Sequence, residues 1–361
     1  MIPFFDLAAQ QAVIKSQINE NIAKVLAHGK YILGPEVAEL EERLCEYTGA
    51  KYCITCANGT DALQIALMAI GVGQGDEVIT PAFSYIATAE ATALLGAKPI
   101  YVDVDPVSFT INPALIEEKV TAKTKAIIPV SLYGQPANFQ EINKIACKHN
   151  LIVIEDGAQS FGSEQLGRKS CNLSDIGCTS FFPTKPLGCY GDGGAIFTNN
   201  DEIAQACREI RVHGQSDRYI HTRIGLGGRM DTLQCAVVLS KLDRFDWEIE
   251  ERQRIAGRYY SRLSESGVTT VSVRSNRNSV YAQLTVMVED RDALQSRLKL
   301  AGLPTAVHYP VPLNEQPAYK HLCCPECTPT ASYVAKRVLS LPMGPDLSIG
   351  DQDRIISELS S

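Results

Sequence analysis

The sequence predicts an α/β fold with a mainly parallel, seven-stranded sheet and a smaller α+β unit after it. Three observations carry this. Between residues 50 and 200, short β-rich runs alternate with helical patterns. Those runs are largely apolar, and apolar strands alternating with helices imply crossover connections and a mainly parallel sheet buried on both faces. After about residue 240 the texture changes to a long charged helical stretch, then strands and helices in mixed order.

The strand candidates are 52–56, 77–80, 99–104, 126–130, 151–155, 178–182 and 195–198, with helical patterns such as 60–70 and 139–149 between them. Asn112 is a plausible N-cap, with Pro113 at the first helical position. Ahead of the sheet lie two helical patterns, 8–28 and 35–47; the second carries Val37, Leu40 and Leu44 on one stripe. The later part reads as one long helix over 241–264 with the only tryptophan, Trp247, then strands at 268–273 and 281–288. A helix at 291–301 and a final helical segment follow. The expected division is a large unit, residues 1–240, and a smaller one, 241–361. No repeat or low-complexity tail interrupts either.

Length and composition narrow the possible functions. The chain has 361 residues, 45% hydrophobic and 21% charged, ordinary values for a soluble globular protein of about two packed domains. No apolar run is long enough to span a membrane. Met1-Ile2-Pro3-Phe4-Phe5-Asp6-Leu7 lacks the basic start, apolar stretch and cleavage site of a secretory signal, so the expected compartment is the cytoplasm. The net charge of −7 is spread along the chain, without the basic patch that a nucleic-acid partner requires. Cys53 and Cys56 form a C-x-x-C, as do Cys324 and Cys327, but the pairs lie too far apart for a zinc ribbon. Within a strand, Cys53 and Cys56 would point to opposite faces. His321, Cys323, Cys324 and Cys327 could bind a metal locally; free thiols, and no metal, are the expectation.

Four sites each fall just beyond the carboxyl end of a predicted strand, the edge where open parallel sheets bind ligands. In Cys56-Ala57-Asn58-Gly59-Thr60-Asp61, a helix starting near Thr60 presents unpaired N–H groups to an anion such as phosphate. The same residues also suit an ordinary capped turn. In Pro81-Ala82-Phe83-Ser84-Tyr85, an aromatic ring could stack on a planar cofactor or simply belong to the core. Glu155-Asp156-Gly157-Ala158-Gln159-Ser160 closes an apolar strand. A carboxylate there needs a cation or donors, which a protonated pyridine nitrogen would supply, unless it is a simple acidic N-cap. Gln159 could reach another polar atom of the same ring. In the fourth site, residues 180–194, Lys185 sits in Phe181-Phe182-Pro183-Thr184-Lys185-Pro186-Leu187-Gly188, and four glycines fall between 188 and 194. Desolvation lowers a lysine's pKa and frees its amine to attack an aldehyde. Gly71-Val72-Gly73-Gln74-Gly75-Asp76 looks like a dinucleotide loop, but it follows a helix and precedes a strand, the reverse of the required order.

Taken together, Asn-Gly-Thr-Asp at 58–61, Pro-x-Phe-x-Tyr at 81–85, Glu-Asp-x-Ala-Gln-Ser at 155–160 and the Ser180–Gly194 stretch resemble the DegT-type sugar aminotransferases. The likeness runs from Phe5 to the end of the chain. It implies the type I pyridoxal-phosphate fold, the aspartate aminotransferase fold, with pyridoxal 5'-phosphate as cofactor. Lys185 would be the Schiff-base lysine and Asp156 the partner of the pyridine nitrogen. Gln159 would contact the ring hydroxyl, Tyr85 would stack on the ring, and Gly59, Thr60 and Ser180 would hold the phosphate. The family works as a homodimer with its sites at the interface. It usually places an Asn, where this chain has Gly227, to reach the neighbouring subunit's cofactor phosphate.

Within the family, His28–Pro35, Lys185–Tyr190 and His308–Gln316 most resemble enzymes that aminate C3 of UDP-linked 2-acetamido-2-deoxy-3-oxo-glucuronic acid for O-antigen or other surface polysaccharides. Arg229, His308, Tyr309 and Tyr31 would then face the sugar, with the Arg229 guanidinium suited to a uronic-acid carboxylate. The implied amino donor is L-glutamate, whose Cα proton the freed Lys185 amine would take. Alternatives are amination at C4 or C3 of a UDP- or dTDP-linked keto-6-deoxy sugar, and a non-catalytic pyridoxal-phosphate-binding regulator. A sugar dehydratase on this fold replaces the lysine by histidine, so Lys185 argues against that reading.

Overall fold

Seven strands lie where the apolar runs placed them, to within three residues at either end. The computed structural model describes residues 2–264, 268–323 and 325–360. The strands are β1 (Tyr52–Cys56), β2 (Glu77–Pro81), β3 (Lys98–Val102), β4 (Thr124–Ile127), β5 (Ile152–Asp156), β6 (Ile176–Ser180) and β7 (Gly194–Thr198). Their order across the sheet is β1-β7-β6-β5-β4-β2-β3. The pairings from β3 to β6 are parallel, and β7 runs antiparallel to both its neighbours. The carboxyl ends of β1, β2, β5 and β6 therefore share one edge.

Helices cover both faces. On one face α3 (Gly59–Ala69), capped by the Asn58 side chain accepting from Asp61 N–H, packs Leu63, Ile65 and Leu67 on Ile54, Ile154, Ile176 and Ile196. On the other, α2 (Pro35–Thr48), begun by a proline and ended by Gly49 in the left-handed region, sets Val37, Leu40 and Leu44 against Cys53, Ala195 and Phe197. Cys56 belongs to the first cluster and Cys53 to the second, the opposite faces that strand geometry requires. The amphipathic helix α5 (Phe139–His149) covers Ile79, Ile127 and Val153 on the second face.

The helix α1 (Leu7–His28) lies against α7 (Thr232–Leu242) through Ile14, Ile18 and Val237. Its ends match its sequence: the Asp6 carboxylate accepts from Ala9 N–H, and Gly29 closes it in the left-handed region. The remaining helices are α4 (Ala87–Leu94), α6 (Asp201–Ile210), α8 (Phe245–Leu263), α9 (Arg291–Leu300), α10 (Pro329–Ala335) and α11 (Ile349–Ser360). A three-stranded antiparallel sheet of β8 (Thr269–Thr270), β9 (Leu284–Met287) and β10 (Val338–Leu341) shares a core with α8, α9 and α11.

The structure corrects four expectations. The long helix expected over 241–264 is two, because the chain breaks at Asp243 and Arg244 and restarts with Phe245 packed inward. The helix after Asn112 shrinks to two 3-10 turns, Pro113–Leu115 and Glu117–Lys119. Asn112 caps the first, but Val120 turns extended after the second. The strand expected at 268–273 is confined to Thr269 and Thr270, with one further bond from Val271 N–H to Thr285 O, since Ser272 and Arg274 turn to meet Gln135 in a loop of the large sheet. Cys327 is disulfide-bonded rather than a thiol; it sits on an exposed 3-10 turn, where sulfur is open to oxidation. Among the described residues, ten other cysteines lie outside any disulfide. Cys324 lies outside the described residues; among those described, no group of three or more His, Cys, Asp or Glu side chains could hold a metal ion. Among the described residues, no helix is long and apolar enough to cross a membrane.

Candidate active site

The edge shared by the strand ends gathers the residues singled out from the sequence. Asp156, the last residue of β5, is buried at 7% exposure. Its Oδ2 accepts from Thr88 Oγ1 at 3.0 Å and its Oδ1 from Ala158 N–H at 3.2 Å. Burial raises this carboxyl's pKa, while those donors and the nearby Lys185 charge act in the opposite sense. Among the described residues Asp156 makes no salt bridge, so a buried carboxylate faces the site short of a paired counter-charge.

Lys185 follows β6 after a tight turn in which its N–H donates to Phe182 O. Burial pushes its ammonium below the ordinary lysine range, partly offset by Asp156. That shift is what a nucleophilic amine needs. Behind it lies a narrow cavity of about 60 Å³ walled by Phe4, Phe5, Thr184 and Arg252.

At the start of α3, Asn58 spends its side chain on Asp61 N–H. The Gly59 and Thr60 amides, first in the helix, have no carbonyl a turn behind them. A Cβ on Gly59 would lie 2.7 Å from the Ser180 Cβ, and one on Gly194 would lie 2.6 Å from the Asn58 carbonyl group. Both glycines thus let the loop after β1 close against the ends of β6 and β7. The result is a half-buried cradle of Gly59, Thr60 and Ser180 suited to an anion.

Gln159 is buried, and both ends of its amide are engaged. Its Oε1 accepts from Tyr133 N–H at 2.7 Å and its Nε2 donates to Tyr309 Oη at 3.0 Å. Tyr85, 54% exposed, stands 6.0 Å from the Tyr309 ring, centre to centre, and Phe83 meets the same ring edge-on at 6.3 Å. His308 shares its Nδ1 with Ser340 Oγ at 2.9 Å, and its carbonyl accepts from Tyr133 Oη. Burial, then the Lys185 charge, lower the imidazole pKa to about 4, so it is neutral at pH 7. Asp156, Lys185, Gln159, Tyr85 and the cradle were singled out from the sequence, whereas Thr88, Tyr133 and Ser340 were not. Those three come from a helix, a turn and a distant strand, and only tertiary packing links them to the site.

Arg229 and Tyr31 form a second group. Tyr31 is 47% exposed, its carbonyl accepts from Thr232 N–H at 3.0 Å, and the next residue bridges Asp231. Arg229 does not pair with Asp231, and among the described residues its guanidinium has no hydrogen-bond or ion-pair partner. Gly228 O accepts from Ala57 N–H at 2.9 Å, which sets this segment beside the cradle. At Gly227 a Cβ would lie 3.1 Å from the His213 ring and 3.8 Å from Arg229 Nη2. A larger residue there would crowd both.

A lysine of lowered pKa, a buried carboxylate short of a counter-charge, an exposed aromatic face and an anion cradle fit an aldehyde-bearing pyridinium phosphate. The donor set matches each of its polar atoms. Comparisons with known proteins point the same way. The UDP-2-acetamido-2-deoxy-3-oxo-D-glucuronate aminotransferase of Pseudomonas aeruginosa is 56% identical over 361 residues, covering 100% of both chains. The X-ray structure of DesV from S. venezuelae in complex with a ketimine intermediate matches with a TM-score of 0.97 at 37% identity, covering 99% of this chain and 97% of that one. The structure of ntda from Bacillus subtilis with bound cofactor PMP matches at 0.90 and 33% identity, covering 96% and 81%. The sequence profile of the DegT/DnrJ/EryC1/StrS aminotransferase family matches residues 12–360. The chain belongs to that family.

Proposed function

We propose that this protein transfers an amino group from L-glutamate to C3 of a UDP-linked 2-acetamido-2-deoxy-3-oxo-glucuronic acid, using pyridoxal 5'-phosphate held by Lys185. The observation that carries the reading is the pairing of a half-buried, pKa-lowered Lys185 with the buried carboxylate of Asp156 at one sheet edge. The substrate rests on the full-length likeness to the Pseudomonas aeruginosa enzyme and on the unpaired Arg229 guanidinium, suited to a uronic-acid carboxylate.

Each residue has a task. The cofactor supplies an aldehyde carbon and a ring that accepts electrons. Lys185 Nζ would hold that carbon, and its free amine, with a pKa lowered by burial, would take the proton from glutamate's Cα. A positioned general base of this kind is worth about 10²–10⁴-fold in rate. The Asp156 carboxylate, steadied by Thr88 and Ala158, would hold the ring nitrogen's proton. Gly59, Thr60 and Ser180 would bind the phosphate, Tyr85 would cover the ring, and Gln159 would meet the ring hydroxyl. Neutral His308, Tyr309, Arg229 and Tyr31 orient the sugar.

Assembly as a homodimer completes the reading. Tyr31, Ile32 and Leu33 are exposed, as are Tyr219, Ile220 and Ile224 on and beside a hairpin reaching away from the core. A second copy covering them would bury this exposed apolar surface. The division into units 1–240 and 241–361 belongs to this proposal, as do a cytoplasmic location and surface-polysaccharide synthesis as the product's destination.

The test is turnover with defined keto-sugars. Purified protein given pyridoxal phosphate, glutamate and the UDP-linked 3-oxo-uronate should form the 3-amino-uronate and 2-oxoglutarate. Faster amination of a UDP- or dTDP-linked keto-6-deoxy sugar would overturn the substrate. Cofactor binding without turnover on any of these would make the protein a regulator instead.

A further inference from the structure

Tyr309 holds a hydrogen-bond donor that the structure leaves unused, and the orientation of Gln159 reveals it. A backbone N–H can only donate, so the Gln159 atom facing Tyr133 N–H at 2.7 Å must be the amide oxygen. The atom facing Tyr309 Oη at 3.0 Å is then the NH₂, and the phenol oxygen accepts. A phenol carries one proton, and among the described residues no group accepts it from Tyr309. The ring cannot easily turn away, being packed against Phe83 at 6.3 Å and beside Tyr85 at 6.0 Å. Gln159 keeps a second N–H of its own. Two donors, one phenolic and one amide, thus converge three residues beyond Asp156.

We infer that Tyr309 Oη donates its free proton to the ring oxygen of pyridoxal phosphate, and that Gln159 positions it while donating to the same oxygen. The inference rests on the cofactor assignment above and changes one part of it, because Tyr309 serves the cofactor rather than the sugar. A ring held with its nitrogen at Asp156 would carry its oxygen two carbons along, and the Gln159–Tyr309 pair lies near enough for the Asp156 charge to act on the phenol. Burial and the Asp156 charge raise the phenol's pKa, so it stays protonated and remains a donor across the working pH range. The consequence is electronic. A ring oxygen bearing negative charge shares the proton on the nitrogen that joins Lys185 to the cofactor. Donors to that oxygen weaken its hold, so that proton leaves at lower pH.

The experiment is a pH titration of the holoenzyme's visible absorbance in the absence of substrate. Tyr309→Phe should keep its cofactor and raise the midpoint by about one pH unit, as expected for losing one hydrogen bond to a charged oxygen. Gln159→Leu should raise it too. The double variant should move by less than the sum, because Gln159 acts partly through Tyr309. Thermal melts identify a variant that has merely lost its fold, and Gln159→Glu then serves as the second probe. An unchanged midpoint in Tyr309→Phe, with the loss confined to the sugar half-reaction, would return Tyr309 to the substrate and overturn the inference. Absence of any visible band in the wild-type protein with pyridoxal phosphate would instead defeat the cofactor assignment itself.

Discussion

Asp156 and Gln159 sit inside the protein with partners for their polar atoms, whereas Arg229 and Tyr31 lie at a half-open edge, Arg229 with none. The cofactor half is therefore shaped before anything binds. Its carboxylate, amide and aromatic faces are held by Thr88, Tyr133 and Phe83, and binding needs little rearrangement. The edge group is shaped only in part, and its guanidinium gains a partner only when a ligand or a second chain arrives. Such a division gives a chemical step that is insensitive to the sugar and a specificity step that is sensitive to assembly.

The largest effect should come from the cofactor half. Lys185→Ala removes the covalent anchor and the base together, so turnover should fall by at least about 10⁴-fold. Borohydride treatment of the wild-type holoenzyme should fix the cofactor on the peptide containing Lys185. Label found on Lys30 or Lys169 would break the comparison at its centre.

Asp156→Asn tests whether the buried half acts electronically. The amide keeps the shape but loses the charge, and turnover should drop roughly 10²-fold, equivalent to about 3 kcal/mol for one charge-assisted hydrogen bond. Both half-reactions should slow together, measured in single turnover with cofactor still bound. A normal rate would mean that another group holds the ring proton.

The preshaping itself has a pH signature. Glu155, fully buried beside Asp156, accepts from Ser131 Oγ, Ser170 Oγ and Cys171 N–H, yet burial pushes its carboxyl up to about 7. The folded carboxyl then binds its proton more tightly than the unfolded one. Its contribution is complete below the unfolded value of 4.5 and is lost as pH rises toward 7. That loss amounts to about 3 kcal/mol at most. Comparing denaturant midpoints of wild type and Glu155→Gln at pH 5 and pH 8 should show the wild type losing more stability over the interval. Parallel behaviour would place the titration elsewhere.

The smallest effect belongs to the edge. Arg229→Ala should weaken a uronic-acid sugar by about 1.5–3 kcal/mol, leaving the glutamate half-reaction nearly unchanged. Equal losses in both halves would show one carboxylate site serving both substrates and would erase the distinction between the two regions.

How legible the protein was follows the same line. The strands and the residues at their ends could be read from sequence because burial on both faces leaves uninterrupted apolar runs, and the polar residue that ends each run stands out. Asp156, Lys185 and the Asn58–Asp61 cap are local signals of this kind. Tyr133 and Ser340 were invisible, since nothing in a turn or a short strand announces which distant side chain it will meet. The break between α7 and α8 was missed because charged residues run through Asp243 and Arg244 without a glycine or proline to mark it.

Phe4 lies with its ring 6.2 Å from His308, which in turn bonds Ser340, and it walls the cavity behind Lys185. Residues from the first handful of the chain and from its last tenth thus meet at one lysine. Contacts of such long sequence separation form late, because the entropy of closing the intervening loop must be overcome first. A nascent chain emerging from the ribosome would have its sheet, its lysine and its carboxylate in place well before this wall could close. Coenzyme offered during synthesis would meet an unfinished site. Loading should therefore lag chain completion, and a chain arrested before residue 308 should carry Lys185 without being able to seal it from water.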